Sequence, residues 1–518
     1  MERNAVIQKI SAHVTWDLLV IGGGATGLGI ALDGASRGYR TLLLEQADFA
    51  KSTSSKSTKL AHGGVRYLAQ GNISLVREAV VERGLLSKNA PHLVGNLGFI
   101  IPVYDRWSRI KYTLGLKFYD WLSGKLSLGP STFISGKEVK SRLPGIVSKK
   151  LYGGVLYHDG QFDDARLAVN LAETIFENGG YAINYFRVTE LLKEGSMVTG
   201  VEAMDLETQK SYSIQARAVI NATGVFSDSI MKLDDPDARK QISASRGVHL
   251  VIDQSFLPGK EALMIPKTPD GRVLFIVPWH QKLLLGTTDT PVRNISLEPV
   301  ASQEEISFIL QTAGGYLSRP PRRKDVLSVF AGLRPLASGE GEGRETKEIS
   351  RGHKILVSPS GLFSMVGGKW TTFRKMGEDM IDRVEKESKW SHKNSVTANL
   401  PIHGFQQHTD PNDPLNFYGA DTQVVNKLIE ETSGKMISKK LNLYAAQVIW
   451  AVRSEMARTV EDVLSRRTRC LILDAEESVR IAPDVASVMA GEMKQSQQWQ
   501  LNQVEQFRDI AENYILKV

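Results

Sequence analysis

The sequence predicts an α/β fold: a parallel nucleotide-binding sheet, a largely antiparallel sheet inserted into it, and a helical C-terminal region. Three observations predict it. Residues 17–45, DLLVIGGGATGLGIALDGASRGYRTLLLE, read as strand, glycine-rich turn, helix, strand and acid within one βαβ unit. From about residue 236 to residue 345 the apolar pattern becomes short and alternating, as in antiparallel strands. After a linker at 388–404, SKWSHKNSVTANLPIHG, the remaining pattern is mostly helical.

Within the first unit, residues 18–21 are apolar without a polar break, as a strand buried on both faces requires. Gly22, Gly24 and Gly27 follow in G-x-G-x-x-G spacing. The first permits a tight turn, the second lets a pyrophosphate approach the backbone, and the third lets the helix pack close to the strand. The helix offers its free N–H groups to the anion and stops near Gly38. A strand at 41–44 ends in Glu45, placed to accept hydrogen bonds from ribose hydroxyls and to repel a 2′-phosphate, which disfavours NADP.

The 518 residues suggest two to four domains, and 42% hydrophobic with 23% charged residues is ordinary for a soluble protein. A net charge of +7 can attract phosphorylated metabolites, anionic lipid or nucleic acid, and alone selects none. Cys470 is the only cysteine, which excludes an intrachain disulfide and any cysteine cluster and suggests a reducing compartment. No metal site is expected. The first 17 residues have no continuous apolar core of a secretory signal, and no apolar run is long enough to span a membrane.

Residues 51–59, KSTSSKSTK, place hydroxyls and lysines directly after the ribose-binding strand, and 60–68, LAHGGVRYL, pair two glycines with Arg66 and Tyr67. A helix is expected over 71–91. Residues 106–125, RWSRIKYTLGLKFYDWLSGK, interleave aromatic and aliphatic residues with cations; they suit either a membrane interface or an amphipathic helix packed on its own domain. Strands are expected at 181–191, at 217–228 with a break at Thr223 and Gly224, and at 248–252, 273–277, 282–286 and 324–331. Two more, at 354–358 and 362–366, lead into Gly367, Gly368 and a helix from Trp370 whose N-terminus suits negative charge.

GGGATGLG, the serine-rich loop and KLAHGGVRYL together closely resemble the FAD-dependent glycerol-3-phosphate dehydrogenases of the aerobic bacterial and mitochondrial type. RGVHL at 246–250, GTTD at 286–289, AGLRPL at 331–336, GGKWTTFRKM at 367–376 and RSEMARTVEDVLSRRTR at 453–469 extend the resemblance over most of the chain. Ala61, Trp370 and Phe373 depart mildly from the family pattern. The resemblance implies a Rossmann-like FAD domain of the glutathione-reductase/D-amino-acid-oxidase type at 1–80, 150–235 and 346–388. It implies a substrate-binding cap at 81–149 and 236–345 and a helical domain at 389–518.

It also implies that FAD is held by Gly22, Gly24, Ala25, Thr26, Gly27, Glu45, Thr53, Ser54, Ser55, Leu60, His62, Gly63, Gly64, Val188, Thr223, Gly224, Asp289, Gly368, Lys369, Trp370 and Thr371. The expected reaction is oxidation of sn-glycerol 3-phosphate to dihydroxyacetone phosphate, with electrons passed to a membrane quinone. Arg66 and Arg334 would bind the phosphate, because a guanidinium offers a bidentate fork that an ammonium does not. Tyr67 would hydrogen-bond the substrate hydroxyl, Arg334 and Lys369 would stabilise an alkoxide, and His249 would be the general base. The family's dehydrogenases bind peripherally to membranes, implying the cytoplasmic face of an anionic cell membrane, with a homodimer as a further expectation and nucleic acid excluded as a partner. Oxygen as acceptor, an amino-acid oxidase and a non-enzymatic flavin module remain alternatives.

Overall fold

The computed structural model describes residues 1–64, 72–268, 271–337, 352–410 and 413–517. Arg66 and Tyr67 lie outside them. Strand Trp16–Ile21 pairs in parallel with Thr41–Leu44 on one side and Ser211–Asn221 on the other. The sheet continues through Phe363–Gly367 to His353–Val357 at one edge and to Tyr181–Ile183 at the other. Helix Ala25–Ser36 lies against Phe373–Glu387 at a crossing of small residues. A Cβ on Gly29 would stand 2.5 Å from the Phe373 carbonyl oxygen, and one on Gly377 would strike the Gly29 carbonyl.

The single strand expected at 181–191 is two. Tyr181–Ile183 stays in the parallel sheet, whereas Phe186–Glu194 leaves it to pair antiparallel with Met197–Asp205. The chain turns at Asn184 and Tyr185, where Tyr185 has φ of 58°. Asn184 donates to the Asp48 carboxylate at 3.0 Å and to the Met456 carbonyl at 3.0 Å, and Arg3 binds Asn184 in turn. Those partners are remote in sequence, so the apolar pattern carries no sign of the turn.

The second sheet has ten strands, in the order Thr290–Val292, Ile242–Asp253, Lys282–Gly286, Leu274–Trp279, Ala262–Ile265, Val94–Val103, Gly153–Phe162 and Leu60–Ala61, with Val326–Ala337 and Thr132–Ser135 alongside. It is antiparallel except where Ala262–Ile265 meets Val94–Val103. Its central strands are buried on both faces with period two. Phe99, Val251, Met264, Val277 and Phe330 face the C-terminal helices, and Ile100, Leu250, Leu263, Ile276 and Val329 face helix Gln303–Gly314. Val326–Ala337 of this sheet packs on Phe363–Gly367 of the first, and the loop between Thr41–Leu44 and Leu60–Ala61 runs from one sheet to the other, which sets the place of the site.

Candidate active site

A cavity of about 580 Å³ opens where the parallel strands end. Gly22, Gly24, Ala25 and Thr26 line it at the start of helix Ala25–Ser36. The turn has no room for side chains: a Cβ on Gly22 would lie 2.7 Å from the Ala222 carbonyl oxygen, and one on Gly27 would collide with the Gly22 carbonyl. Glu45 lines the cavity and braces the turn, accepting from the Gly23 N–H at 2.6 Å and the Ala47 N–H at 2.8 Å. Burial pushes its carboxyl pKa up, against those two donors. Ser54 accepts from the Ala25 N–H at 2.9 Å, and the Trp370 indole donates to the Ser54 carbonyl at 2.7 Å, tying loop, helix and the Gly367–Gly368 turn together.

Thr53, Val188, Thr223, Gly224, Gly368, Lys369 and Trp370 complete the wall. Phe226, Ile230 and Leu233 give the wall apolar surface that suits a flat base, and Lys51, Lys369, hydroxyls and the helix N-terminus give it donors that suit a diphosphate. These donors and this shape fit an adenine dinucleotide. Ser55 and Thr371 are buried and do not line the cavity.

Leu60, His62, Gly64 and Asp289 line a second cavity of about 170 Å³, between the loop and the antiparallel sheet. Gly63 lies behind it, with no space for a Cβ against Tyr119 and Val80. Arg334 lines this cavity while the next residue, Pro335, lines the larger one, so strand Val326–Ala337 forms a shared wall. The Arg334 fork is fixed: Nη1 lies 3.3 Å from Asp289, and Nη2 donates to Thr287 Oγ1 and the Thr288 carbonyl, both at 3.1 Å. Arg272 lines the same cavity, its guanidinium 5.3 Å from the Phe308 ring centre. The sequence reading missed Arg272; a cation at the head of an apolar strand, in DGRVLF, was the available signal.

Lys369 faces the larger cavity and not the one that holds Arg334. His249 lines neither. Its Nε2 lies 2.8 Å from Thr58 Oγ1, which does line the smaller cavity, and its ring stacks on Phe330 at 4.8 Å. Burial, then the charges of Arg334 and Lys59, lower its pKa to about 3, so the imidazole is neutral at neutral pH.

Comparison with known proteins agrees with this geometry. The family described as FAD dependent oxidoreductase matches residues 17–373, and the C-terminal domain of alpha-glycerophosphate oxidase matches 395–500. A probable mitochondrial glycerol-3-phosphate dehydrogenase of Caenorhabditis elegans is 38% identical over 98% of this chain and 74% of its own length. The human mitochondrial glycerol-3-phosphate dehydrogenase is 36% identical over 95% of this chain and 72% of its own. The structure of the glycerol-3-phosphate dehydrogenase from Bacillus halodurans, complexed with FAD, superposes with a TM-score of 0.81 at 28% identity, covering 99% of this chain and 97% of that one. This chain therefore belongs to the glycerol-3-phosphate dehydrogenase family of FAD-dependent oxidoreductases.

Proposed function

We propose that the protein oxidises sn-glycerol 3-phosphate to dihydroxyacetone phosphate and passes two electrons and two protons to a membrane quinone. One observation carries the substrate reading: two arginines, Arg334 and Arg272, line a small cavity that shares a wall with the dinucleotide cleft. An anionic head held by these forks would leave a carbinol carbon toward the cleft. FAD, when bound, supplies the hydride acceptor. Gly22, Glu45, Ser54, Thr223 and Lys369 are placed to hold it, and the fixed Arg334 fork is placed to orient the substrate. The proton of the substrate hydroxyl has two imidazoles within reach of the cavity, His62 on its wall and His249 behind Thr58.

The membrane reading rests on helix Arg106–Ser123. Trp107, Ile110, Leu114, Phe118 and Trp121 form an outward stripe at helical spacing, with Trp107 82%, Leu114 63% and Trp121 72% exposed. Exposed Arg106, Lys111 and Lys117 accompany it. Apolar rings with cations beside them suit an anionic bilayer surface, here the cytoplasmic leaflet. No helix among the described residues is long and apolar enough to cross a membrane, so the contact would be peripheral.

The test is anaerobic mixing of the flavin-loaded protein with glycerol 3-phosphate, glycerol or an amino acid, followed by quinone or oxygen. Bleaching by glycerol 3-phosphate alone, with rapid reoxidation by quinone, is expected. Bleaching by an amino acid would overturn the substrate, and faster reoxidation by oxygen would overturn the acceptor.

A further inference from the structure

We propose that Arg83, Tyr119 and Asp159 form a positioning device that carries the seating of helix Arg106–Ser123 to the substrate cavity, so that affinity for glycerol 3-phosphate depends on the Tyr119 hydroxyl. The proposal rests on the membrane reading of that helix and deepens it.

The helix has two faces. Opposite its exposed apolar stripe, Leu116 and Tyr119 are buried, and Tyr119 packs with Val76 and Val80 of helix Ile73–Asn89. The Tyr119 hydroxyl reaches past this small cluster to the cavity wall. Arg83 Nη1 donates to it at 2.9 Å and to Asp159 Oδ1 at 2.7 Å, and the hydroxyl donates to Asp159 Oδ2 at 3.3 Å. Asp159 lines the cavity beside His62 and Gly64, and the Gly63 N–H between them donates to Asp159 Oδ1 at 3.2 Å. The missing side chain at Gly63 is the space that the Tyr119 hydroxyl fills. Helix, hydroxyl, carboxylate and turn therefore make one contiguous packed block, and a close-packed block transmits a shift of the helix.

The charges say more than packing would. A bare carboxylate in a cavity for a phosphate ester would repel its ligand. The buried ion pair with Arg83 removes most of that charge, and the Tyr119 hydroxyl holds the pair in register. Well-packed apolar residues would serve a purely structural wall as well or better. Tyr119 and Asp159 are thus positioning residues that set the field and the shape of the cavity.

The test measures KM and kcat for glycerol 3-phosphate in the flavin-loaded wild type, Tyr119→Phe and Asp159→Asn, with and without vesicles of mixed neutral and anionic phospholipid. Tyr119→Phe keeps the ring and its packing. It removes the hydroxyl's hydrogen bonds to Arg83 and Asp159 and is expected to raise KM about fivefold or more with kcat within about twofold and with flavin content unchanged. Wild-type KM is expected to change when the protein sediments with vesicles, and Tyr119→Phe is expected to sediment equally with no such change. Asp159→Asn is expected to shift KM as well, and it decides the matter if Tyr119→Phe folds poorly. Unchanged KM in both variants overturns the proposal, as does a wild type that binds vesicles without any change in KM. Failure of the wild type to sediment would instead sink the membrane reading and with it the coupling, leaving the KM of the variants to decide the positioning role alone.

Discussion

Arg334 shows how much of its function a side chain owes to what holds it. Asp289, Thr287 and the Thr288 carbonyl fix the guanidinium plane at the wall of the smaller cavity. Arg334→Lys keeps the charge and loses the fork. The expected result is a KM for glycerol 3-phosphate raised by roughly ten- to a hundredfold, the worth of one charge-assisted hydrogen bond, with flavin still bound. Steady-state kinetics on the loaded enzyme checks it, and an unchanged KM removes Arg334 from the phosphate site. The two histidines separate in the same assay. His62→Asn is expected to slow flavin reduction by about a hundredfold as a cavity-wall base. His249→Asn, at a ring behind Thr58 whose lowered pKa makes it a weak base, is expected to change the rate little, and the reverse order would make His249 the base. The sequence made Arg334 legible through AGLRPL. It hid Arg272, because one arginine outside a recognised motif looks like surface charge until the sheet folds it inward.

At the scale of elements, the C-terminal helices are fastened to the nucleotide domain by buried charge. In the segment Asp462–Arg467, a π-helix, Arg466 Nε donates to Asp48 at 2.5 Å, and Arg467 reaches the same carboxylate at 2.6 and 2.9 Å. Arg469 and Lys59 share Asp164, at 2.9 and 2.8 Å. Asp48 follows Glu45, which lines the cleft, by three residues, so the fastening holds the start of the cleft's loop. The two arginines hold the Asp48 carboxyl well below the usual range despite its burial. Asp48→Asn would leave Arg467, whose next carboxylate is Glu455 at 3.8 Å, without its close counter-ion, while Arg466 keeps Glu461 and Asp462. The expected cost is about 3 kcal/mol or more of stability, with faster loss of FAD. Urea unfolding and a flavin-release time course would show it, and a variant as stable as the wild type would reduce the cluster to spectators. The run RSEMARTVEDVLSRRTR was legible as a motif. Its burial was not, because adjacent arginines ordinarily face water and their partner Asp48 stands 419 residues away from Arg467.

Across the whole molecule, what the sequence revealed was local. The G-x-G-x-x-G turn, Glu45 and the strands around them follow from short-range periodicity, and the structure reproduces them. The strand break at Asn184, the shared wall at Arg334 and Pro335 and the partition of the loop residues between two cavities depend on long-range contacts. Those contacts also set the response of stability to acid. His249 and His92 are buried, and burial lowers their pKa values to about 3 and about 4 from the ordinary 6.5. As pH falls below 6.5 the unfolded chain takes up a proton at each while the folded chain does not, so both cost stability toward acid, roughly 1.4 kcal/mol per pH unit per histidine at most. Glu173 works the other way: burial raises its carboxyl to about 7 from 4.5, so between those values the folded chain holds a proton that the unfolded chain lacks. Desolvation lowers His158 and His280 as well, so the histidines together outweigh Glu173 as pH drops from 6.5 to 5. His403, raised to about 9 by its carboxylate partners against its burial, stabilises fully below 6.5 and loses that contribution only as pH climbs toward 9. The flavin-loaded protein is therefore expected to lose Tm steadily between pH 6.5 and 5. His249→Asn, which removes one of the histidines that oppose folding in acid, is expected to make that slope shallower. Thermal unfolding across this window measures both slopes, and a wild-type Tm that rises toward pH 5 would mean that these imidazoles are not buried as neutral groups.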